Sequence, residues 1–195
     1  MKPSRVFRLI FQIFILLLTV SITVVSILGA ISAVIILSNP GNLGVDPSQI
    51  EFNTEINTTT FEIENLNFTL PFNFTNAGYF DLENLELKID LAMNYSHVDG
   101  GGPGVNETRI EEIFTKSHNF GTIIKGTTGY FNFTGLFGDF TFPPTLNFTS
   151  DVDWFRSPYA ILFYANVTIS LDYSIGLHSL TIGLINLPVG EIEGV

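Results

Sequence analysis

Residues 65–95 read NLNFTLPFNFTNAGYFDLENLELKIDLAMNY, and this stretch decides the fold. In 66–75 the even positions are Leu66, Phe68, Leu70, Phe72 and Phe74, and the odd ones are Asn67, Thr69, Pro71, Asn73 and Thr75. Strict alternation of this kind marks a strand with one buried face and one wet face. Thr75-Asn76-Ala77-Gly78-Tyr79 reads as a turn. In 84–95 the phase inverts: Leu85, Leu87, Ile89, Leu91, Met93 and Tyr95 alternate with Asn84, Glu86, Lys88, Asp90, Ala92 and Asn94. The two runs predict a β-hairpin. Pro71 lacks an amide donor, which predicts an edge position or a bulge.

The same period continues downstream. Residues 97–108 predict a loop, and shorter strands are expected near 109–115, 120–125 and 129–137. Residues 152–163 are ambiguous and admit a short helix. Val167, Ile169, Leu171, Tyr173 and Ile175 form a further apolar row, followed by a last strand through Leu180, Ile182 and Leu184. Seven to eight short strands separated by Gly, Pro and Asn turns predict a mainly β chain, an antiparallel immunoglobulin-like β-sandwich. Nineteen Phe, most of them in this part, supply its core.

The N-terminus is of another kind. Leu9 to Leu37 is a run of 29 residues without a charge. About 20 apolar residues span a bilayer, so the run predicts a transmembrane helix. Its Ser and Thr hydroxyls can bond back to the helix's own carbonyls. A cleaved signal peptide is the rival, with Ala30-Ile31-Ser32 as a weak cleavage site. Its apolar region, however, spans only about 7–15 residues. An uncleaved signal anchor fits better. Lys2, Arg5 and Arg8 precede the run, while the first base after it is Lys88. The positive-inside rule therefore predicts a cytoplasmic N-terminus and an extracytoplasmic remainder at the cell membrane. The expected layout is a basic tail (1–8), an anchor (9–37) in the lipid bilayer, a linker (38–48), a sandwich (49–190) and a tail (191–195).

Charge follows the same division. The tail carries +3; the rest sets five bases against all nineteen acids, a net charge of −14. So acidic a domain repels nucleic acid, which is not an expected partner. With no cysteine, disulfides, thiol chemistry and cysteine-ligated metals are excluded.

The strongest motif is the Asn-x-Ser/Thr sequon, the acceptor for N-linked glycans in exported chains. It occurs eight times, at Asn57, Asn67, Asn73, Asn94, Asn106, Asn132, Asn147 and Asn166. Composition alone gives roughly 2.6, so eight is an excess, and all follow the anchor. Asn67, Asn73, Asn94 and Asn166 fall on the polar phase of their strands. In Asn-Phe-Thr the Phe points inward while the Asn and Thr share the wet face. Five of the eight lie in 57–106, which places the unmodified side in the C-terminal half. The bland reading is a Thr- and Asn-rich β surface with incidental sequons.

Other motifs are weaker. Gly100–Gly104 (GGGPG) lacks the Lys-Ser/Thr and the helix of a phosphate loop, and reads as a hairpin loop. Asp151-Val152-Asp153 lacks the spacing of a calcium loop, and on a strand its carboxylates would share a face. His97, His118 and His178 have no metal-ligand spacing. Glu111-Glu112 reads as solvated surface. Trp154, Phe155, Tyr159, Phe163 and Tyr164 form an aromatic cluster whose default place is the core. The expectation is no metal, no cofactor and no enzymatic activity.

With its short basic tail, single anchor and exported sandwich, the chain resembles the LEA-2 (late embryogenesis abundant group 2, or water-stress) superfamily. The likeness is specific over Phe68–Tyr95, which is similar to that family's hairpin, although the family's usual turn Pro is missing at Thr75–Gly78. The resemblance implies a non-enzymatic sandwich with a structural, stress-protective or interaction role, and a groove between the sheets for lipid. Acceptor density without cysteine is in the style of an archaeal cell surface. Two alternatives stand beside it: binding of lipid or a small apolar ligand between the sheets, and a surface adhesin or envelope-assembly subunit pairing through an edge strand with another envelope protein.

Overall fold

The structure, a computed structural model, describes residues 3–45, 49–57, 59–98, 106–155 and 158–194. An N-terminal helix, α1 (Pro3–Ser38), leads into eight strands among the described residues: β1 (Leu43–Val45), β2 (Glu51–Ile56), β3 (Ile63–Thr75), β4 (Glu83–Val98), β5 (Asn106–Asn119), β6 (Thr128–Gly135), β7 (Tyr159–Tyr173) and β8 (His178–Glu193). A single turn of helix, α2 (Phe148–Asp151), precedes β7. The strands form two antiparallel four-stranded sheets, as the alternation predicts.

In the first sheet β3 is the centre. On one side β6 pairs with it without a register shift, from Phe68 opposite Gly135 to Thr75 opposite Thr128. On the other side β2 pairs with Ile63–Thr69 and β1 with Phe72–Phe74. Because β6 covers all of the β1 stretch and overlaps the β2 stretch at Phe68 and Thr69, β1 and β2 must share the opposite flank and run in line along it. Pro71 sits where that flank is interrupted, between Glu51 opposite Thr69 and Val45 opposite Phe72. The edge or bulge expected from Pro71 is therefore wrong. The strand is interior: Pro71 is paired with Asn132 of β6 on one side and lies at the gap between β1 and β2 on the other.

The second sheet runs β5-β4-β7-β8. Its inner face joins that of the first in one core. Leu66, Phe68, Leu70, Phe72 and Phe74 of β3 meet Leu85, Leu87, Ile89, Leu91, Met93 and Tyr95 of β4, with Val167, Ile169, Leu171 and Tyr173 of β7, and all are buried. Each large side chain so enclosed contributes about 1.5–3 kcal/mol relative to exposure. A one-residue slip would turn the row outward, so the register is firmly held.

Several expectations are corrected. The hairpin expected of 66–75 and 84–95 does not form: the connection crosses from one sheet to the other, and β3 pairs with β6 while β4 pairs with β5 and β7. Ile175 is not in the apolar row: β7 stops at Tyr173, and Ser174 and Ile175 turn with φ of 58° and 60°. Residues 159–163 are strand rather than helix. Ala160 and Ile161 are both buried across a register shift, which breaks the alternation. Ile113 and Phe114 do the same in β5, whose ladder slips opposite Leu91/Ala92. Residues 120–125 form no strand, only a bridge from Ile123 to Leu82. Strands β4 and β5 extend into the loop expected at 97–108, and GGGPG lies outside the described residues. The linker expected at 38–48 contains β1, and β8 continues past 190 to Glu193.

Candidate functional site: acceptor asparagines and the membrane joint

The eight sequons do not converge on one place. Asn67 and Asn73 on β3 and Asn132 on β6 occupy the outer face of the first sheet; Asn94 on β4 and Asn166 on β7 occupy that of the second. The four predicted on the polar phase are half-buried between fully buried neighbours, and Asn132 is exposed. Asn57 lies after β2, Asn147 before α2, and Asn106 opens β5.

Their amides are partly engaged. Asn57 donates to Glu64 Oε1 at 2.8 Å and accepts from the Thr59 and Thr60 amides. Asn67 donates to Asn65 Oδ1 at 3.0 Å. Asn147 caps α2 by accepting from the Thr149 amide at 3.0 Å. Asn166 Oδ1 accepts from the Asn186 amide at 2.9 Å, steadying a bulge in β8. Asn73 and Asn132 line one open hollow of about 300 Å³, with Gly44, Gln49, Pro71 and Tyr130, at the gap between β1 and β2. Sequon-free segments occur in both halves of the chain; they include β1, β2 and β8, and the three loops at the end of the domain nearest α1, residues 76–82, 120–127 and 174–177.

Helix α1 is exposed along most of its length and, by length and composition, able to cross a bilayer. Thr19 and Thr23 donate their hydroxyls to the carbonyls of Ile15 and Thr19, the bonding back to the helix that the sequence led one to expect. Its C-terminal turns behave differently. Ser32 and Ile36 are buried, and the Ser32 hydroxyl accepts from the Tyr79 amide at 2.9 Å. Gly29 packs so closely on Ser174 and His178 that a Cβ would overlap the Ser174 hydroxyl. The last carbonyls are capped by Asn42, which donates to Ile35 and Ile36. The loops that receive the helix are tied together by Asn76, which is fully buried. Its side chain donates to Phe80 O at 2.9 Å and Ile123 O at 3.0 Å, and accepts from the Gly78 amide at 3.0 Å. Its backbone bonds Thr127 and Gly126. Sequence reasoning placed Asn76 in a turn and missed this role.

The weaker motifs disperse. Asp151 ends α2 and accepts from the Asn147 amide and the Ser150 hydroxyl, which hold its carboxyl below the usual range. Asp153 accepts from the Phe155 amide, so the pair does not share a strand face. The histidines lie apart: His97 faces Tyr95, His118 faces Phe120 and His178 stacks on Tyr173. Glu111 and Glu112 lie opposite Met93 and Ala92 on the sheet edge. The aromatic cluster splits. Trp154 is buried against Phe61 and donates to Phe148 O at 2.7 Å, and Phe163 packs on Phe52. Tyr159 and Tyr164 are half-buried, and Phe155 is 83% exposed. Among the described residues no three His, Cys, Asp or Glu gather as metal ligands.

No family model matches the chain. No curated protein matches it. Among solved structures it has a similarity to the sporulation control protein Spo0M from Bacillus subtilis, with 15% identity and a TM-score of 0.30. That similarity covers 78% of this chain and 49% of the other, so the chain spans about half the length of that protein. It is too weak to bear on function.

Proposed function

We propose that the chain is a single-pass membrane protein that holds an acidic, glycosylated sandwich outside the cell, in a structural, stress-protective or interaction role rather than a catalytic one. The observation that carries this reading is the pairing of an exposed apolar run, whose only preceding charges are basic, with eight acceptor sites that all follow it. The LEA-2 resemblance of Phe68–Tyr95 agrees with it. Protease added to sealed right-side-out vesicles should digest the sandwich and leave the tail. Deglycosylation should lower the intact mass of the native protein. Protection of the sandwich, or an unchanged mass, would overturn the corresponding half of the reading.

A second reading is favoured by one observation. Strand β8 is the outer strand of its sheet and carries neither a sequon nor an Asp, Glu, Lys or Arg from His178 to Gly190. The opposite edge, β5, bears Glu107, Arg109, Glu111, Glu112 and Lys116. Pro188 and three register shifts interrupt the far part of this edge, but its regular, uncharged part, His178–Leu184, is suited to pairing with a strand of another envelope protein. Lipid binding between the sheets has less support, because the facing rows are buried against each other and the hollow of about 300 Å³ lies on an outer face.

A further inference from the structure

The end of the domain nearest α1 carries a feature that the anchor alone does not require. The inference drawn from it rests on the reading that α1 crosses the membrane. About 20 helical residues, at 1.5 Å each, traverse the roughly 30 Å of hydrocarbon. Counted from Leu9, the first residue after the last base, that length ends at Leu28. The next residue, Gly29, is already buried against Ser174 and His178, and Ser32 is bonded to Tyr79. The hydrocarbon boundary and the lower surface of the domain thus fall at one level.

That surface consists of the loops 76–82, 120–127 and 174–177. Each of them turns an apolar side chain outward: Tyr79 (52% exposed), Ile124 (61%), and Ile175 (76%) with Leu177 (52%). Ile175 stands out. It is β-branched, its φ is 60°, and Gly or Asn is the ordinary residue in that conformation. A strained backbone that holds an apolar side chain away from the fold points to a use outside it. None of the eight sequons falls in these loops, so no glycan separates them from the bilayer.

We propose that the three loops form an apolar seat bedded in the headgroup layer of the outer leaflet. Tyr79 lies at the polar interface, where aromatic residues with a polar tip concentrate, and Ile124, Ile175 and Leu177 reach the acyl boundary. The partner is a neutral or zwitterionic lipid surface. Asp81, Glu83 and Lys125, beside Tyr79 and Ile175, leave a single net negative charge there, and the net charge of the exported part likewise disfavours anionic headgroups.

The absence of cysteine makes the test direct. Single cysteines placed by Ile175→Cys, Leu177→Cys, Ile185→Cys and Val24→Cys in the full chain are spin-labelled. The protein is reconstituted in phosphatidylcholine vesicles, and collision with oxygen is compared with collision with a water-soluble nickel complex. Labels at 175 and 177 should shift toward oxygen, between the deep label at 24 and the aqueous one at 185, which replaces a side chain 75% exposed on β8. Labels at 175 and 177 that match 185, with 24 in lipid, overturn the seat and leave the spanning helix standing. A label at 24 in water overturns both. Ile175→Gly relieves the backbone, so it should retain thermal stability while moving the 177 label toward water. An unmoved label counts against the seat.

Discussion

Replacing Asn76 by Ala tests whether one buried side chain holds together the loops that receive the helix. The substitution removes three hydrogen bonds, to Phe80 O, to Ile123 O and from the Gly78 amide, and leaves the two backbone bonds intact. Ile123 O retains the Leu82 amide as a donor at 3.0 Å, so the loss falls chiefly on Phe80 O and the Gly78 amide. At about 1 kcal/mol net per bond, and more where a buried group is orphaned, the expected cost is about 3 kcal/mol. Asn76→Asp separates bonding from packing. It preserves the shape and the acceptor for Gly78 but turns an oxygen toward two carbonyls, so at neutral pH it should cost at least as much as Ala. Trp154 is the single tryptophan and is buried, so its fluorescence reports urea unfolding of the detergent-solubilised full chain. Variants that both unfold within about 0.5 kcal/mol of the parent would refute the reasoning.

Gly29→Leu should lift the last helical turns from the 174–178 turn at a cost of about 2 kcal/mol, the usual scale of overpacking; it would be seen as faster proteolysis within residues 38–48, with the helix still in membrane. Ser174→Gly should stabilise the domain by about 1 kcal/mol, read as a higher melting midpoint. It removes a buried hydroxyl that has no partner among the described residues and relieves a φ of 58°. Acid should destabilise the fold slightly. Asp139 is held below its ordinary pKa by the hydrogen bond from Lys116, at 2.8 Å, and then by the Leu136 amide; Asp151 is held down by the Asn147 amide. A depressed carboxylate contributes stability that is complete above its unfolded pKa, about 3.9, and is lost as pH falls through the folded value. Melting midpoints should therefore be flat from pH 7 to 5 and drop below about pH 4, and Asp139→Asn should reduce the drop.

The sandwich was legible wherever a strand keeps an unbroken period of two. Every apolar residue predicted inward in 66–75 and 84–95 is buried, but the hairpin expected between them does not form: β3 and β4 face each other from opposite sheets of one core. Legibility failed where the period breaks for a three-dimensional reason. Ala160-Ile161 and Ile113-Phe114 are adjacent buried pairs made by ladder irregularities, which no alternation signals. Strand β1 is three residues long and exists only because β3 offers a free flank beyond Pro71. Ile175 has the right parity, but the chain has already turned. The outward phase of Asn67, Asn73, Asn94 and Asn166 was legible from the alternation. Asn76 was not, because a buried Asn and a surface Asn are the same letter, and only the three bonds it makes tell them apart.

The stitching of the chain just beyond α1 also limits how far the domain can travel. Eleven free residues over 38–48 would let it roam roughly 36–40 Å from its anchor and meet partners at a concentration set by that tether. Here Asn42 is bonded to the helix end and Leu43–Val45 are paired into the first sheet, so the leash has almost no slack. Its longest strands, at 16 residues, reach about 50 Å. With α1 crossing the membrane as proposed, the domain's upper loops would stand at one height above the bilayer. Any encounter would then depend on lateral diffusion in the plane, or on a partner long enough to come down to that height.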